Sequence, residues 1–179
     1  MNLYLRLLRA LAVGLSSSKL GPLETSVVRL RTWPADVDIR RANNGRYVTL
    51  MDLGRVDYLC RTGVLQAMVR RRWQPLVAGL TIRYRRSLAL FRPFELHSRV
   101  LWWDMRFVYF EQRFVQDGET AALAIVRTAV RDSQGTVATD RLVRAFGFPA
   151  EPPARSEAIG LWSRAEEAMT AELQLARAS

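Results

Sequence analysis

Polar residues in the first third of the chain have the types and spacing that cleavage at a carbonyl carbon would need. The run Asp36-Val37-Asp38 precedes Asn43-Asn44-Gly45, which opens a predicted helix, and Asp52 follows about two turns into that helix. A carboxylate can attack a carbonyl carbon directly or activate a water molecule. The first turn of a helix has unpaired backbone N–H groups and the positive end of the helix dipole, which can stabilise an oxyanion.

These residues can be given provisional roles in such a reaction. Asp38 is our first choice for the carboxylate, and Asp52 is the second. Asn43 and Asn44 would orient the water or the substrate oxygen. Gly45, which lacks a side chain, would let a carbonyl group approach the helix closely.

Structural interpretations of the same residues stay open beside the chemical ones. Asp36 or Asp38 would cap a turn, and Asn44 would be the N-cap of the helix. Asp52 precedes Arg55 by three residues, a spacing that allows an ion pair on one helix face.

Composition excludes several classes of site. The chain has 179 residues, one Cys (Cys60) and one His (His97), so it has no internal disulfide framework, thiolate zinc cluster or two-histidine metal motif. No apolar run reaches the roughly 18–20 residues of a membrane span. The net charge is +10, and Lys19 is the single lysine among 27 basic residues. An anionic partner and an ordinary solvated surface both explain this excess.

Hydrophobic periodicity predicts an α+β protein. We predict helices over residues 2–15, about 45–72 and 156–177, and strands over 27–33, 81–90, 96–103, 107–115 and 121–131. Asp117-Gly118 is a hairpin signal within a four-strand antiparallel meander, Gly63 is a candidate break or kink in the long helix, and residues 139–146 fit either a strand or a helix. The helix over 2–15 suits either a membrane interface or packing on the body of the protein.

The long helix is apolar on nearly all faces, which indicates that it is buried. A curved antiparallel sheet of about five to six strands wrapped around this one long helix would bury it, which is the hot-dog arrangement. We divide the chain into an N-terminal amphipathic helix (1–20), a hot-dog domain (27–148) and a C-terminal helix (154–179).

Several separated runs then occur in a familiar order. They are Trp33-Pro34-Ala35-Asp36-Val37-Asp38, Asn43-Asn44-Gly45-Arg46-Tyr47, Met51-Asp52-Leu53-Gly54-Arg55, Tyr84-Arg85-Arg86-Ser87-Leu88, Phe94-Glu95-Leu96 and Phe110-Glu111-Gln112-Arg113-Phe114. Together these runs resemble the hot-dog acyl-CoA thioesterases, closest to the group related to 4-hydroxybenzoyl-CoA thioesterase and to the thioesterase-superfamily-member-6 type. The resemblance covers roughly residues 27–146.

One position departs from the family pattern. Where the family has His-x-Asn-Asn, this chain has Arg41-Ala42-Asn43-Asn44, and the loop is one residue shorter. Arg41 can bind an anion, but it cannot serve as a general base near neutral pH. Two hypotheses follow: a working thioesterase, and a catalytically degenerate module that binds acyl thioesters without hydrolysing them.

The resemblance implies an acyl-CoA substrate, with coenzyme A as part of the substrate and no separate cofactor or metal. Candidate substrate-binding residues are Arg41, Gly45, Arg46, Tyr47, Arg83 and Arg85; Tyr47 also suits the core. The phosphates of coenzyme A would meet Arg83 and Arg85 on their strand, or Arg70 to Arg72 at the end of the long helix.

The resemblance also implies a homo-oligomer, a dimer or a tetramer. We expect no nucleic-acid partner, since stacking and groove-binding motifs are missing from the sequence. We expect a cytoplasmic location, with residues 2–15 as a candidate contact with the inner membrane face.

Overall fold

The computed structural model describes residues 3–38 and 41–178. Its helices are α1 (Leu3–Ser16), α2 (Asn44–Arg61), α3 (Val64–Arg71), α4 (Thr139–Phe146) and α5 (Glu157–Ala178). Its strands are β1 (Ser26–Arg31), β2 (Val37–Asp38), β3 (Arg41–Ala42), β4 (Gln74–Tyr84), β5 (Pro93–Trp103), β6 (Val108–Gln116), β7 (Glu119–Asp132) and β8 (Gly135–Thr136). A 3-10 turn covers Pro34–Asp36. Within the described part of the chain, every helix is too short or too polar to cross a membrane.

The main sheet is antiparallel, with strand order β1-β5-β6-β7-β4 and β8 paired to β7. Asp117 and Gly118 have φ values of 55° and 77°, so the predicted hairpin between β6 and β7 is confirmed. The predicted four-strand meander is wrong, because β4 pairs with the far side of β7 rather than with β5. The connection over residues 85–92 is long enough to carry the chain past two strands, whereas a two-residue turn forces its strands to be neighbours.

Strand β4 is also displaced relative to the prediction of residues 81–90. It begins at Gln74 and ends at Tyr84, and Leu88 lies beyond the strand although it is fully buried. The alternation of apolar and polar residues after Tyr84 suggested that the strand continued. It instead belongs to a loop that places the Leu88 side chain in the core.

Helix α2 lies against the concave face of the curved sheet, which confirms the predicted hot-dog fold. Leu50, Met51 and Leu53 of α2 are at most 2% exposed, and they belong to one core cluster with Leu96 and Phe114 of the sheet. Burial of apolar side chains around most of the helix explains why its sequence lacks a clear polar face, although Asn44, Val48 and Asp52 remain exposed along one narrow strip.

The central helix is shorter than the predicted span of residues 45–72. Gly63 adopts φ 75°, a left-handed conformation that ends α2 and begins α3 in a new direction. A left-handed residue cannot continue an α-helix, and glycine is the residue that adopts this conformation without steric cost.

Helix α1 packs on α2, which is one of the two arrangements that the sequence allowed. A Cβ atom on Gly14 would lie 2.9 Å from Cβ of Cys60, so the two helices approach closely there. The Arg6 side chain is buried toward the body, while Leu5 and Leu8 are about 60% exposed. Helix α1 therefore buries the charged side chain of Arg6 and leaves the leucines Leu5 and Leu8 exposed. Residues 139–146, which the sequence left undecided, form the helix α4.

Candidate active site

The turn before α2 is held by a buried ion pair. Arg6 Nη1 and Nη2 donate to the two carboxylate oxygens of Asp36 at 3.0 and 2.6 Å, and Asp36 is 3% exposed. The N–H of Trp33 donates to the same carboxylate at 2.9 Å, and the N–H of Asn43 donates to the Asp36 carbonyl at 3.0 Å. Asp36 therefore ties α1 to this turn and has a structural role.

Asp38 differs from Asp36 because its side chain is exposed. It accepts a hydrogen bond from the side-chain amide of Asn43, and strands β2 and β3 pair Asp38 with Arg41 through the backbone. The structure thus brings Asp38 and Asn43 together. The side chain of Arg41 and residues 39–40 lie outside the described part of the chain.

The N-cap of α2 is Asn43, not Asn44 as the sequence suggested. Asn43 has φ −62° and ψ 138°, and its side-chain oxygen accepts the N–H of Gly45 at 2.7 Å. The N–H of Arg46 donates to the Asn43 carbonyl at 2.9 Å. Two of the N–H groups expected to be open to an oxyanion are therefore engaged within the turn, and Asn44 is the first residue of the helix.

A polar recess of about 450 Å³ adjoins this end of α2. It is lined by Ala42, Asn44, Tyr47, Tyr84, Arg85, Arg86 and Ser87. The hydroxyl of Tyr47 accepts the N–H of Leu88 at 3.1 Å, and burial raises the pKa of Tyr47. Tyr47 is 2% exposed, so it belongs to the core and also holds the segment that carries the recess arginines.

Of the arginines predicted to bind phosphate, Arg85 lies at this recess and Arg83 does not. Arg83 is an exposed residue of β4. Arg86, which we did not single out from the sequence, lines the recess and forms an ion pair with Glu119. Its position next to Arg85 in the run Tyr84-Arg85-Arg86 could have identified it as a candidate from the sequence.

Asp52 occupies a separate position, about 12 Å along the axis of α2 from Asn44 at 1.5 Å per residue. Arg55 donates to Asp52 through Nη2 and to the Gln112 side-chain oxygen through Nη1 at 2.6 Å. The ion pair expected from the i,i+3 spacing is present. Asp52 keeps 59% of its side chain exposed, whereas Arg55 keeps 11%.

The partner that orients Arg55 could not be found from local spacing. Gln112 lies on β6, and its amide nitrogen donates to the Met51 carbonyl at 2.8 Å and to the Ser98 hydroxyl at 2.9 Å. Burial lowers the pKa of Arg55, and the neighbouring Asp52 carboxylate opposes this shift. The sheet thus fixes the guanidinium, and the guanidinium in turn fixes Asp52.

An apolar cavity of about 380 Å³ opens beside this pair. Its wall includes Leu59, Val64, Met68, Val100, Phe110 and Leu142. Among the described residues that line it, Asp52 and Arg55 are the charged ones. Volume and lining are those of a small-molecule site with a few polar groups. The sequence did not predict this cavity, because α2, α3, α4 and the sheet each supply only part of its wall.

The remaining chemically active side chains are placed elsewhere. Nε2 of His97 lies 2.9 Å from a Glu95 carboxylate oxygen on β5, and Cys60 is fully buried within α2. Burial raises the pKa of the Cys60 thiol. Within residues 3–38 and 41–178, no group of three or more His, Cys, Asp or Glu side chains is arranged to hold a metal ion.

Comparison with known proteins agrees with the fold and with the family resemblance. A family model described as the thioesterase-like superfamily matches residues 32–162. Protein THEM6 of Drosophila melanogaster is 27% identical over 141 residues, covering 78% of this chain and 71% of that protein. Protein THEM6 of Xenopus laevis is 33% identical over 145 residues, covering 79% and 68%. Among solved structures, the probable thioesterase YbaW of Escherichia coli superposes with a TM-score of 0.61 at 20% identity, covering 68% of this chain and 94% of that one.

Proposed function

The chain belongs to the thioesterase-like superfamily, and from this premise we propose that it is an acyl-CoA thioesterase that releases a free acid and coenzyme A. The observation that carries the proposal is the apolar cavity whose charged wall is the Asp52–Arg55 pair. Such a cavity suits an aliphatic acyl chain, and its charged edge suits the polar thioester at the end of that chain.

One face of α2 offers a path for the rest of the substrate. Asn44, Val48 and Asp52 are spaced four residues apart and share this face, and Val48 is 38% exposed. Arg85 and Arg86 lie at the Asn44 end. In the proposed complex these arginines hold phosphates of coenzyme A, and the pantetheine arm runs along α2 to a thioester at Asp52.

The proposed chemistry is hydrolysis assisted by a carboxylate. Asp52 takes a proton from a water molecule as the water oxygen bonds to the acyl carbon, and the proton then passes to the departing coenzyme A sulfur. Arg55 stabilises the negative charge that develops on the carbonyl oxygen. The Arg55–Gln112 hydrogen bond keeps this guanidinium in place before substrate arrives.

Asp38 is the alternative carboxylate, and it was our first choice from the sequence. It lies near the positive end of the α2 dipole and is held by Asn43. We now place Asp52 first because Asp52 borders the apolar cavity and Asp38 does not line it.

A second candidate function is binding of acyl thioesters without turnover. It is favoured by Arg41, which stands where the family pattern has histidine. In either case we propose a homodimer in which the sheets of two copies join edge to edge, as is common for this fold.

The test is release of free thiol from a series of short- to long-chain acyl-CoAs. We expect the parent protein to turn over at least one of them, and we expect Asp52→Asn to lower kcat by roughly 10²- to 10⁴-fold, the usual contribution of a general base. Asp140→Asn is the matched control, since Asp140 is an exposed helix carboxylate paired with Arg144 outside the cavity.

Other outcomes separate the alternatives. A large loss in Asp38→Asn with an active Asp52→Asn protein would move the chemistry to Asp38. Calorimetric binding of a non-hydrolysable acyl-CoA without turnover of any substrate would support the binding module. Both functions would be refuted by a folded protein that neither binds nor hydrolyses any of the acyl-CoAs.

A further inference from the structure

Thr139, the first residue of α4, has a buried hydroxyl group that no other described residue binds. The residue is 1% exposed, and its Oγ1 atom is buried without a hydrogen-bond partner within residues 3–38 and 41–178. Ala138 is the N-cap of α4, and the backbone N–H of Thr139 donates to the Met105 carbonyl at 3.1 Å. The hydroxyl therefore neither caps the helix nor anchors it. An unpaired buried hydroxyl costs free energy, which a hydrogen bond to a ligand would recover.

Thr139 also lines the apolar cavity that we assign to the acyl chain. The other hydroxyl groups in the described part of the cavity wall already have partners. Thr128 donates to the Val108 carbonyl at 2.8 Å, and Tyr58 donates to the Pro22 carbonyl. Among the described wall residues, Thr139 is thus the one whose hydroxyl is left for a ligand.

The position of Thr139 in the cavity can be measured along α2. Leu59 lines the cavity seven residues after Asp52, which is about 10 Å farther along the helix axis. Leu59 packs against the apolar cluster that contains Leu142 of α4. Leu142 follows Thr139 by three residues and shares its helix face. Thr139 therefore lies at the end of the cavity opposite Asp52.

Strand β6 gives a second measure of this separation. Gln112, which holds Arg55, and Val108, which lines the cavity, are four residues apart on one face of the strand. Four residues span roughly 13 Å of a strand. The turn just before Val108 contains Met105, whose carbonyl accepts the N–H of Thr139. The two measures together give about 10–13 Å between the charged pair and this hydroxyl.

We propose that Thr139 binds an oxygen atom at the far end of the acyl group, which makes the preferred substrates medium-chain acyl-CoAs with a hydroxyl or carbonyl oxygen near the chain end. A threonine hydroxyl both donates and accepts, so it can pair with either kind of oxygen. An extended chain advances roughly 1.2 Å per bond, so 10–13 Å corresponds to about 8–11 bonds from the thioester. This inference rests on the proposed thioesterase site, because it places the thioester at Asp52.

The test compares two non-hydrolysable thioether analogues of acyl-CoA with ten-carbon chains, one with a terminal hydroxyl and one without. Calorimetry gives the dissociation constant of each. We expect Thr139→Val to weaken binding of the hydroxylated analogue at least tenfold, since its hydroxyl then lies unpaired in an apolar cavity. The plain analogue should bind as tightly as to the parent or more tightly. General damage to the cavity would instead weaken both.

Thr32→Val is the matched control. Thr32 is fully buried and its Oγ1 atom also lacks a partner among the described residues, but it does not line the cavity. We expect the ratio of the two dissociation constants to change less than twofold. Both variants should melt at or above the parent temperature, because neither removes a hydrogen bond. A markedly lower melting temperature for Thr139→Val would mean that its hydroxyl is bonded within the protein, which would overturn the proposal.

The remaining outcomes separate this proposal from the thioesterase itself. An unchanged ratio in Thr139→Val, with both analogues bound, overturns the polar subsite and leaves the thioesterase proposal intact. If the folded parent binds neither analogue, the subsite is overturned, and thiol release decides separately whether the thioesterase stands. A parent that binds both analogues but hydrolyses no acyl-CoA still tests the subsite, because the ratio is a measurement of binding alone.

Discussion

At the scale of single residues, neighbouring positions with the same sequence signal have different roles. Asp36 is 3% exposed and bonded to Arg6, whereas Asp38 is exposed and bonded to Asn43. The spacing of the two aspartates predicted a turn but not which carboxylate would be buried. Asp52 formed the expected pair with Arg55, yet the cavity beside it gives that pair a candidate role in chemistry.

At Gly54, α2 approaches the sheet closely. A Cβ atom there would overlap the Ser98 hydroxyl and lie 2.8 Å from Leu96. We expect Gly54→Ala to destabilise the protein by about 1–3 kcal/mol, the usual cost of overpacking a core. Denaturant unfolding measures this difference.

The matched control is Gly160→Ala in α5, where nothing lies within 4 Å of the added Cβ. We expect this change to stabilise the protein by up to about 1 kcal/mol through helix propensity. Equal effects of the two substitutions would contradict the close approach of α2 and the sheet.

At the scale of elements, the types of most helices and strands follow from local periodicity. The predicted hairpin at Asp117-Gly118 and the C-terminal helix are present. The errors concern how elements continue and pair: the central helix ends at Gly63, and β4 pairs with β7. The pairing of β4 depends on strands far away in sequence, which a local pattern does not contain, whereas the break at Gly63 had a local signal in the glycine itself.

Helix α1 is predicted to stabilise the turn before α2 through the ion pair of Arg6 with Asp36. Arg6→Met leaves the buried Asp36 carboxylate without its charged partner, so we expect a loss of about 3–5 kcal/mol in the free energy of unfolding. We also expect lower thioesterase activity, because Asp36 holds the turn that contains Asn43. Calorimetry and thiol release are the two measurements.

Two variants control this prediction. Arg92→Met removes an exposed ion pair with Asp117 and should cost less than about 1 kcal/mol. Adding Asp36→Asn to Arg6→Met should recover part of the stability, since a neutral amide costs less to bury. If Arg6→Met lowers the free energy of unfolding no more than Arg92→Met does, the Arg6–Asp36 ion pair does not stabilise the protein in this way.

At the scale of the whole molecule, the cavity is a product of assembly. Helices α2, α3 and α4 and four strands contribute to its wall, and Leu7 of α1 also lines it. Its volume, rather than any single residue, should set the length of acyl chain that the protein accepts.

Filling the cavity should change chain-length preference. Val143 of α4 lines the cavity, and we expect Val143→Phe to lower kcat/KM for long-chain acyl-CoAs at least tenfold while short-chain activity is kept. Val27→Phe, at an exposed position on β1, is the control and should leave the preference unchanged. A uniform loss across all chain lengths would point instead to general damage to the fold.

The sequence by itself determined the fold class, the family resemblance and the candidate carboxylates, because these depend on patterns and motifs among nearby residues. Only the tertiary structure decided that Asp36 is bound by Arg6, 30 residues away, and that Arg55 is oriented by Gln112, 57 residues away. It also decided which carboxylate borders the apolar cavity. Such contacts arise when packed elements bring distant side chains together, and burial then makes the choice of partner energetically decisive.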